Sequence, residues 1–342
     1  MSAPEPQFGT RASLSVAPMM DRTDRHFRFF MRQITRHTLL YTEMVPVGAI
    51  IHGERAKFLD FDACEHPLVL QVGGSDPEKL AECAVIAEQW GYDAININVG
   101  CPSDRVKEGH FGAALMGDAP RVAEAVEKMR ARVSIPVTVK HRIGIDHHDS
   151  YDFMSEFVST VAAGGCTQFS VHARIAWLNG LSPKENRRIP PLRYDDVYRL
   201  KKENPELFIE INGGIKTLDE ARAHLDHVDA VMIGRAAYDT PFMFAEADQK
   251  IFKDGGASIH YGDVLESMLD YADHHLRSGG RLHSVTRHLL QLFAGQPGAR
   301  AWRRFLSEKC RHPNTSMHTL REGAQQMLSR LVESSSVESL RV

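Results

Sequence analysis

Eight short apolar runs recur along the chain, and helix-like segments separate nearly all of them. They cover residues 14–18, 39–45, 68–72, 94–99, 137–140, 169–172, 208–212 and 230–234. Strands that alternate with helices form parallel βαβ units. Eight such units predict an α/β fold, a closed (β/α)8 TIM barrel.

Polar and apolar residues also alternate within the runs. Ile95, Ile97 and Val99 share one face of the fourth run, whereas Asn96, Asn98 and Gly100 share the other. The fifth, sixth and seventh runs alternate in the same way. We therefore expect helices to cover the apolar faces and the polar faces to point into the barrel.

The carboxyl ends of the runs carry residues of chemical use, which is where a barrel of this kind places its active site. These ends supply Pro18, Met19, Met20, Glu43, Gln71, Gly100, Cys101, Pro102, Lys140, His172, Asn212, Gly213, Gly214, Gly234 and Arg235. The pattern predicts one active site assembled from the whole length of the barrel.

The strand pattern ends after Arg235. Residues 254–258 are typical of a linker, and only helical periodicity follows, which predicts a C-terminal helical domain. We expect the barrel to occupy residues 1–250, the helical domain residues 257–334 and a tail residues 335–342. The three-residue spacing of Trp302 and Phe305 favours a core position for Trp302 rather than a base-stacking role.

Composition excludes several classes of protein. Hydrophobic residues make up 43% of the 342 residues and charged residues 25%, as in ordinary globular proteins. The five cysteines form no CxxC pair, so neither structural zinc nor a disulfide framework is expected. The polar loop at 146–149 contains two adjacent histidines, but no second ligand set, and no metal is expected. No signal peptide or membrane span is present, so we expect a cytoplasmic location.

The clearest sign of a cofactor lies on the last two strands. Asn212, Gly213 and Gly214 follow the seventh run, and Gly234 and Arg235 follow the eighth, where barrels commonly bind a phosphate group. The alternative is that these glycines only form tight turns. No GxGxxG, P-loop or HExxH spacing occurs, which disfavours a Rossmann site, an NTPase and a zincin.

Lys140 is expected to point into the barrel. An inward lysine can form a Schiff base, balance a phosphate or stabilise an anionic cofactor ring. It can also form a buried ion pair with Glu43 or Glu210. Arg142 shares its face, and two cations at one strand end favour an anionic ligand.

Cys101 differs from the other cysteines because it ends a strand at the expected catalytic rim. Cys83 and Cys166 lie in apolar surroundings and are expected to be small buried hydrophobes. An unperturbed thiol is mostly protonated at neutral pH, so Cys101 is a candidate general acid.

Two basic regions are nearly free of acids, although the net charge of the chain is −3. The first, residues 174–193, contains one acid; the second, residues 281–311, also contains one. Either region can be an ordinary solvated face, but the shortage of acids favours a surface for a phosphate backbone. Candidate contacts are Arg174, Lys184, Arg187, Arg300, Arg303 and Arg304.

Seven motifs together resemble the flavin-dependent tRNA-dihydrouridine synthases. They are APMMD at 17–21, QVGG at 71–74, NINVGCPS at 96–103, VKHRIG at 139–144, VHAR at 171–174, INGG at 211–214 and IGR at 233–235. They span the barrel in the family's order. FGAALM at 111–116 and GARAWRR at 298–304 resemble the A subfamily, which is associated with uridines 20 and 20a of the tRNA D-loop.

The resemblance implies a cofactor, a reductant and a proton donor. It implies FMN bound by Pro18, Met19, Met20, Gln71, Lys140, His172, Asn212, Gly213, Gly214, Gly234 and Arg235. It also implies NADPH as reductant, Cys101 as proton donor and a tRNA uridine flipped into the barrel. Asn98 is a candidate for the uracil edge, and tRNA contacts are expected from Arg142, Arg174, Lys184, Arg187, Arg300, Arg303 and Arg304.

Three other functions remain open from the residues alone. A dihydroorotate-type dehydrogenase would use the same phosphate and lysine positions but needs no basic helical domain. A Schiff-base aldolase would use Lys140 without flavin. An RNA-binding module without activity would leave Cys101, Lys140 and His172 unexplained.

Overall fold

The computed structural model describes residues 9–103, 109, 111–312 and 315–339. These residues form two compact units. The barrel unit contains the residues up to Thr23 and His37–Gly234, and the helical unit contains Asp24–Arg36 and the residues from Arg235 onward. The helical unit thus begins at 235, earlier than the expected boundary, and it includes a segment from the amino-terminal part of the chain.

Eight parallel strands form the barrel, which confirms the predicted fold. They are β1 (Leu14–Val16), β2 (Leu40–Pro46), β3 (Leu68–Gly73), β4 (Ala94–Val99), β5 (Val137–Arg142), β6 (Gln168–His172), β7 (Phe208–Asn212) and β8 (Ala230–Ile233). Consecutive strands pair from β2 to β8, and β8 pairs with β1. A parallel bridge between Ser15 and Leu39 brings β1 to β2.

The helices follow in chain order. They are α1 (Arg25–Arg32), α2 (Val47–His52), α3 (Arg55–Leu59), α4 (Pro77–Trp90), α5 (Ala119–Arg130), α6 (Tyr151–Ala163), α7 (Tyr194–Glu203), α8 (Leu218–Leu225), α9 (Arg235–Asp239), α10 (Ala247–Lys250), α11 (Tyr261–Arg277), α12 (Leu282–Thr286), α13 (Ala299–Glu308) and α14 (Met317–Ser339). None of the helices in the described ranges is long and apolar enough to cross a membrane.

Local sequence explains where the barrel helices begin and end. The carboxylate of Asp76 accepts hydrogen bonds from two backbone N–H groups in the first turn of α4, and Pro77 occupies its first position. Gly91 ends that helix at a φ of 99°, which a residue with a Cβ rarely adopts. Thr217 caps α8 through the backbone N–H of Glu220, as its spacing predicts.

The helical unit has its own apolar core. Phe293 packs edge-on against Trp302, whose indole N–H donates to the carbonyl of Leu289 at 2.8 Å. Trp302 is 2% exposed, so its predicted core position is confirmed. The last helix continues to Ser339, beyond the expected end of the domain, and residues 340–342 of the expected tail lie outside the described residues.

Candidate active site

Parallel pairing places the predicted polar residues of β4 to β7 side by side. In the register of the sheet, Asn98 lies beside Lys140, Arg142 beside His172, and His172 beside Asn212. Because parallel strands end at the same edge, these side chains share the carboxyl-terminal rim of the barrel. The structure therefore brings together residues that are more than a hundred positions apart in the chain.

Four buried side chains form a directional hydrogen-bonded chain inside the barrel. The amide nitrogen of Asn98 donates to Gln71 Oε1 at 2.9 Å, and Gln71 Nε2 donates to Asn96 Oδ1 at 2.9 Å. Asn96 Nδ2 then donates to Thr138 Oγ1 at 2.8 Å. Asn96 and Thr138 were not predicted as site residues, although their inward positions follow from the strand alternation. This series of hydrogen bonds fixes the orientation of each side-chain amide.

The Cys101 segment is anchored to the end of this chain. Asn98 Oδ1 accepts hydrogen bonds from the backbone N–H groups of Gly100 and Cys101, at 3.1 and 2.9 Å. The carbonyl of Cys101 accepts from Ala113 N at 2.9 Å, and its sulfur lies 3.5 Å from Ser103 Oγ. Cys101 is half-buried. Its thiol is thus held at the rim by backbone contacts on both sides.

The remaining cysteines have different surroundings. Cys83 and Cys166 are fully buried, which confirms their expected core positions, and burial raises the pKa of each thiol to about 12. Burial also raises the pKa of Cys310, to about 11. Cys64 is exposed and lies before β3. Of the five, only Cys101 sits at the carboxyl end of a barrel strand.

Lys140 carries a half-buried ammonium group at the centre of the rim. Its Nζ donates to Asn212 Oδ1 at 3.2 Å, and Asn212 Nδ2 donates to the carbonyl of Met232 at 2.7 Å. Burial and the neighbouring Arg142 lower the pKa of Lys140 to about 8. The lysine makes no ion pair with any described residue. The alternative of a buried ion pair with Glu43 or Glu210 is therefore wrong. The cation is available to an anionic ligand.

Glu210 is buried in the barrel interior. Ser15 Oγ donates to its Oε1 at 2.5 Å, and Ser170 Oγ donates to its Oε2. Burial raises the pKa of this carboxyl group, while the two hydroxyl donors and Lys140 oppose that rise. Glu210 therefore belongs to the polar interior of the barrel, in the same row of the sheet register as Ser170 and Lys140.

Arg142 is 5% exposed, and its guanidinium bonds to backbone carbonyls. Nε donates to Gly100 O at 2.9 Å, and Nη1 donates to Ile175 O at 3.0 Å and Asn186 O at 3.1 Å. Burial lowers the pKa of the group to about 10, and a charge on the Cys101 sulfur opposes this shift. Nε and Nη1 of Arg142 are therefore occupied by hydrogen bonds within the protein.

The glycine pair after β7 forms a cradle. Gly213 and Gly214 have φ values of 120° and 79°. A Cβ on Gly213 would lie 3.1 Å from Leu192 and 3.3 Å from His172 Nε2. The Tyr194 hydroxyl donates to Gly213 O at 2.6 Å. Leu192 and Tyr194 were not predicted, because they come from the segment that enters α7. The cradle leaves backbone room that a phosphate group can use.

The end of β1 turns away sharply from the strand direction. The backbone N–H groups of Arg22 and Thr23 donate to the carbonyl of Met19, at 3.1 and 3.0 Å, and Asp21 has a φ of 61°. Met20 is 54% exposed. Gly234 ends the barrel unit after β8, and Arg235 begins α9 of the helical unit.

The predicted tRNA contacts fall in two places. Arg174, Lys184 and Arg187 lie in the segment after β6, and Lys184 and Arg187 are exposed. Arg300, Arg303 and Arg304 lie on α13 in the helical unit. Arg303 Nη1 donates to Gln291 Oε1 at 3.2 Å, and Arg304 pairs with Glu308 at 2.9 Å on an exposed face. Within the described residues, no cluster of three or more His, Cys, Asp or Glu side chains could hold a metal ion.

Comparison with known proteins gives one consistent family. The model of the dihydrouridine synthase (Dus) family matches residues 15–329. The tRNA-dihydrouridine(20/20a) synthase of Synechocystis sp. is 60% identical over 86% of this chain and 88% of its own length. The proteins of the same name from Shewanella oneidensis and Escherichia coli K12 are 53% and 55% identical, over 94% and 90% of this chain and 95% and 89% of their own lengths.

A solved structure supports the fold alone. A 2-naphthoyl-CoA reductase in complex with 2-naphthoyl-CoA matches 69% of this chain with a TM-score of 0.56 and 11% identity. The chain spans about half the length of that protein, since 50% of it is covered. At this identity the likeness concerns the barrel architecture.

Proposed function

The chain belongs to the dihydrouridine synthase family, and from that membership we propose that it reduces uridines 20 and 20a of the tRNA D-loop to dihydrouridine. The observation that carries the proposal is 60% identity with a synthase of this name over most of both chains. We also propose that the protein is located in the cytoplasm, where tRNA is found. The family is flavin-dependent, and FMN and NADPH are the cofactor and reductant proposed here.

The residues at the rim fit FMN. The left-handed backbone of Gly213 and Gly214 provides a cradle for its phosphate that a side chain would fill. Lys140, which forms no ion pair with a carboxylate of any described residue, offers a cation to an anionic ring. The remaining proposed contacts are Pro18, Met19, Met20, Gln71, His172, Asn212, Gly234 and Arg235. When bound, FMN reduced by NADPH supplies the hydride that reaches C6 of the uridine.

Cys101 is the proposed proton donor to C5. A new C5–H bond forms as the S–H bond breaks, and the thiolate that remains takes a proton from solvent. Asn98 holds the backbone of the donor and keeps a second amide hydrogen for the uracil edge.

The proposed tRNA contacts come from two separate segments of the chain. A stacked uridine cannot expose its C5–C6 bond, so the base has to leave the D-loop stack and enter the barrel rim. Arg174, Lys184 and Arg187 in the barrel unit, and Arg300, Arg303 and Arg304 on α13, are the proposed phosphate contacts. Arg142 is proposed to reach the substrate through the part of its guanidinium not bonded to carbonyls.

The test is a product assay with purified protein. We expect FMN, not FAD, to be released on denaturation, and NADPH plus unmodified tRNA to yield dihydrouridine at positions 20 and 20a, mapped by mass spectrometry of nuclease fragments. The same preparation is offered dihydroorotate. Oxidation of dihydroorotate without any change in the tRNA would establish the dehydrogenase alternative instead.

A further inference from the structure

Two segments of the barrel rim are joined by one buried cation. The guanidinium of Arg142 donates to Gly100 O after β4 and to Ile175 O and Asn186 O after β6. A buried charge is costly unless its hydrogen bonds are satisfied. Within the described chain no carboxylate pairs with this arginine, so the three carbonyls hold it. Each segment is thereby tied to the other through Arg142.

Asn186 organises the second segment. Its Oδ1 accepts from Trp177 N at 2.8 Å, and its Nδ2 lies 2.9 Å from Trp177 O, 3.1 Å from Leu181 O and 3.4 Å from Ser182 O. The residue is fully buried, whereas Arg187, its neighbour in the chain, and Lys184, two residues earlier, are exposed. The side chain of Asn186 therefore closes the turn over residues 177–186, while the backbone carbonyl of the same residue accepts from Arg142.

Gly100 is held from both sides. Its N–H donates to Asn98 Oδ1 at 3.1 Å, and its carbonyl accepts from Arg142 Nε at 2.9 Å. Cys101 is the next residue, and its own N–H also donates to Asn98. Asn98 thus secures the N–H groups of Gly100 and Cys101, Ala113 N donates to the carbonyl of Cys101, and Arg142 adds a contact at the carbonyl of Gly100.

We propose that Asn186 is a positioning residue that acts through Arg142 to hold the Cys101 segment, with the two forming a clamp between the segments after β4 and β6. The clamp keeps the exposed cations Lys184 and Arg187 in a constant relation to the thiol. The role of the clamp in catalysis rests on the proposed function, in which those cations contact tRNA and Cys101 donates a proton. The existence of the clamp does not depend on that function and can be tested without RNA.

The test measures how well Cys101 is held, without RNA. The purified protein with its bound flavin is treated briefly with iodoacetamide, and peptide mass spectrometry gives the alkylation rate of Cys101 relative to exposed Cys64. Asn186→Ala keeps the backbone carbonyl that accepts from Arg142 but removes the side-chain hydrogen bonds that hold this carbonyl in place. The ratio is therefore expected to rise about three- to tenfold, the factor by which the loss of a neutral hydrogen bond favours local opening. Arg142→Lys, which keeps the charge but cannot span three carbonyls, is expected to do the same.

The double variant and a matched control separate positioning from general loosening. Because both residues act through one clamp, Asn186→Ala with Arg142→Lys should not exceed the larger single effect. Asn204→Ala also removes an amide that donates to a backbone carbonyl, here Leu200 O at 2.9 Å, and should leave the ratio unchanged. If Asn186→Ala lowers the melting temperature but leaves the ratio of the Cys101 and Cys64 alkylation rates unchanged, the clamp is refuted. If Asn186→Ala does not fold, an unchanged ratio in Arg142→Lys refutes the clamp instead.

A second measurement connects the clamp to the reaction. In Asn186→Ala, the rate at which bound tRNA reoxidises the reduced flavin should fall, while reduction by NADPH should match the parent protein. Loss of both half-reactions contradicts a positioning role. If the protein proves to have no activity on tRNA, the proposed function fails, but the alkylation result still decides whether the clamp exists.

Discussion

The interior of the barrel rim and the arginine face of α13 use polar side chains in opposite ways. In the barrel, Asn96, Gln71 and Asn98 are buried and bonded end to end. On α13, Arg300 and Arg304 are exposed, and Arg304 has one surface ion pair with Glu308. The first region holds atoms at fixed positions, and the second offers charge that can adapt to a partner.

The difference has an energetic basis. Leaving a buried donor or acceptor without a partner costs about 1–3 kcal/mol, whereas an exposed ion pair contributes about 0–1 kcal/mol. A single substitution in the barrel interior should therefore have a large and specific effect. Substitutions on α13 should have small effects that add together and depend on salt.

The largest expected effect is that of Cys101→Ala. The rate of flavin reoxidation by tRNA should fall by roughly 10²–10⁴, the contribution of a positioned general acid. Reduction of the flavin by NADPH requires no protein thiol and should be unchanged. Stopped-flow absorbance of the flavin measures both half-reactions. Cys83→Ala is the matched control, since that buried thiol should affect stability only; parental reoxidation by Cys101→Ala would refute the assigned role.

The next largest effect concerns the glycine cradle. Gly213→Val places a branched side chain at a φ of 120° and against Leu192 and His172, so the molar ratio of FMN to purified protein should drop about tenfold or more. Gly255 has open space around its missing Cβ and no left-handed φ, and Gly255→Val should keep its flavin. Full flavin content in Gly213→Val means that the phosphate binds elsewhere.

A smaller effect is expected on α13. Replacing Arg300, Arg303 and Arg304 with alanine should weaken tRNA binding roughly tenfold and lower its salt slope by about one per lost phosphate contact. Binding is followed by fluorescence anisotropy over a range of salt concentrations. The control replaces Arg121, Arg199 and Arg222, which are exposed in the barrel unit and change the net charge equally. Identical slopes in the two triple variants would show that α13 is an ordinary solvated face.

The smallest effect is a pH dependence at Lys140. Its pKa is about 8, so the amine is charged below that pH and loses its charge above it. An anion binds the charged form better, so the dissociation constant of FMN should rise several-fold from about pH 7 to about pH 9. Lys140→Met should bind FMN more weakly and without this dependence. An equally steep rise in Lys140→Met would assign the titration to another group.

Much of the barrel could be predicted because its signals are local. The fourth and seventh strands end where the sequence predicts, since alternation and the following glycine are both visible in a few residues. The first strand stops at Val16 rather than at 18, because Pro18 has no N–H to donate and the chain then turns at Met19. Inward positions of Lys140 and Asn98 follow from the same alternation.

The contacts that could not be predicted join distant segments. Phe27 on α1 packs against Tyr238 with ring centroids 5.2 Å apart, so α1 belongs with a part of the chain that follows the barrel. Phe27 is 1% exposed, and nothing in the sequence around it identifies Tyr238 as the residue that packs against it. In the same way, Asn186 is one asparagine in a basic loop until its partners at Trp177 and Arg142 are seen.

The pairing of β1 with β8 has a consequence for synthesis on the ribosome. Leu14 emerges early, yet its partner Val231 lies near the end of the barrel, and the helical partners of α1 follow later still. At about 5–20 residues per second, the first strand waits on the order of 10–40 s for the strand that completes its pairing. The nascent chain therefore exposes the unpaired apolar edge of β1 during most of translation. A chaperone can bind this edge during that time.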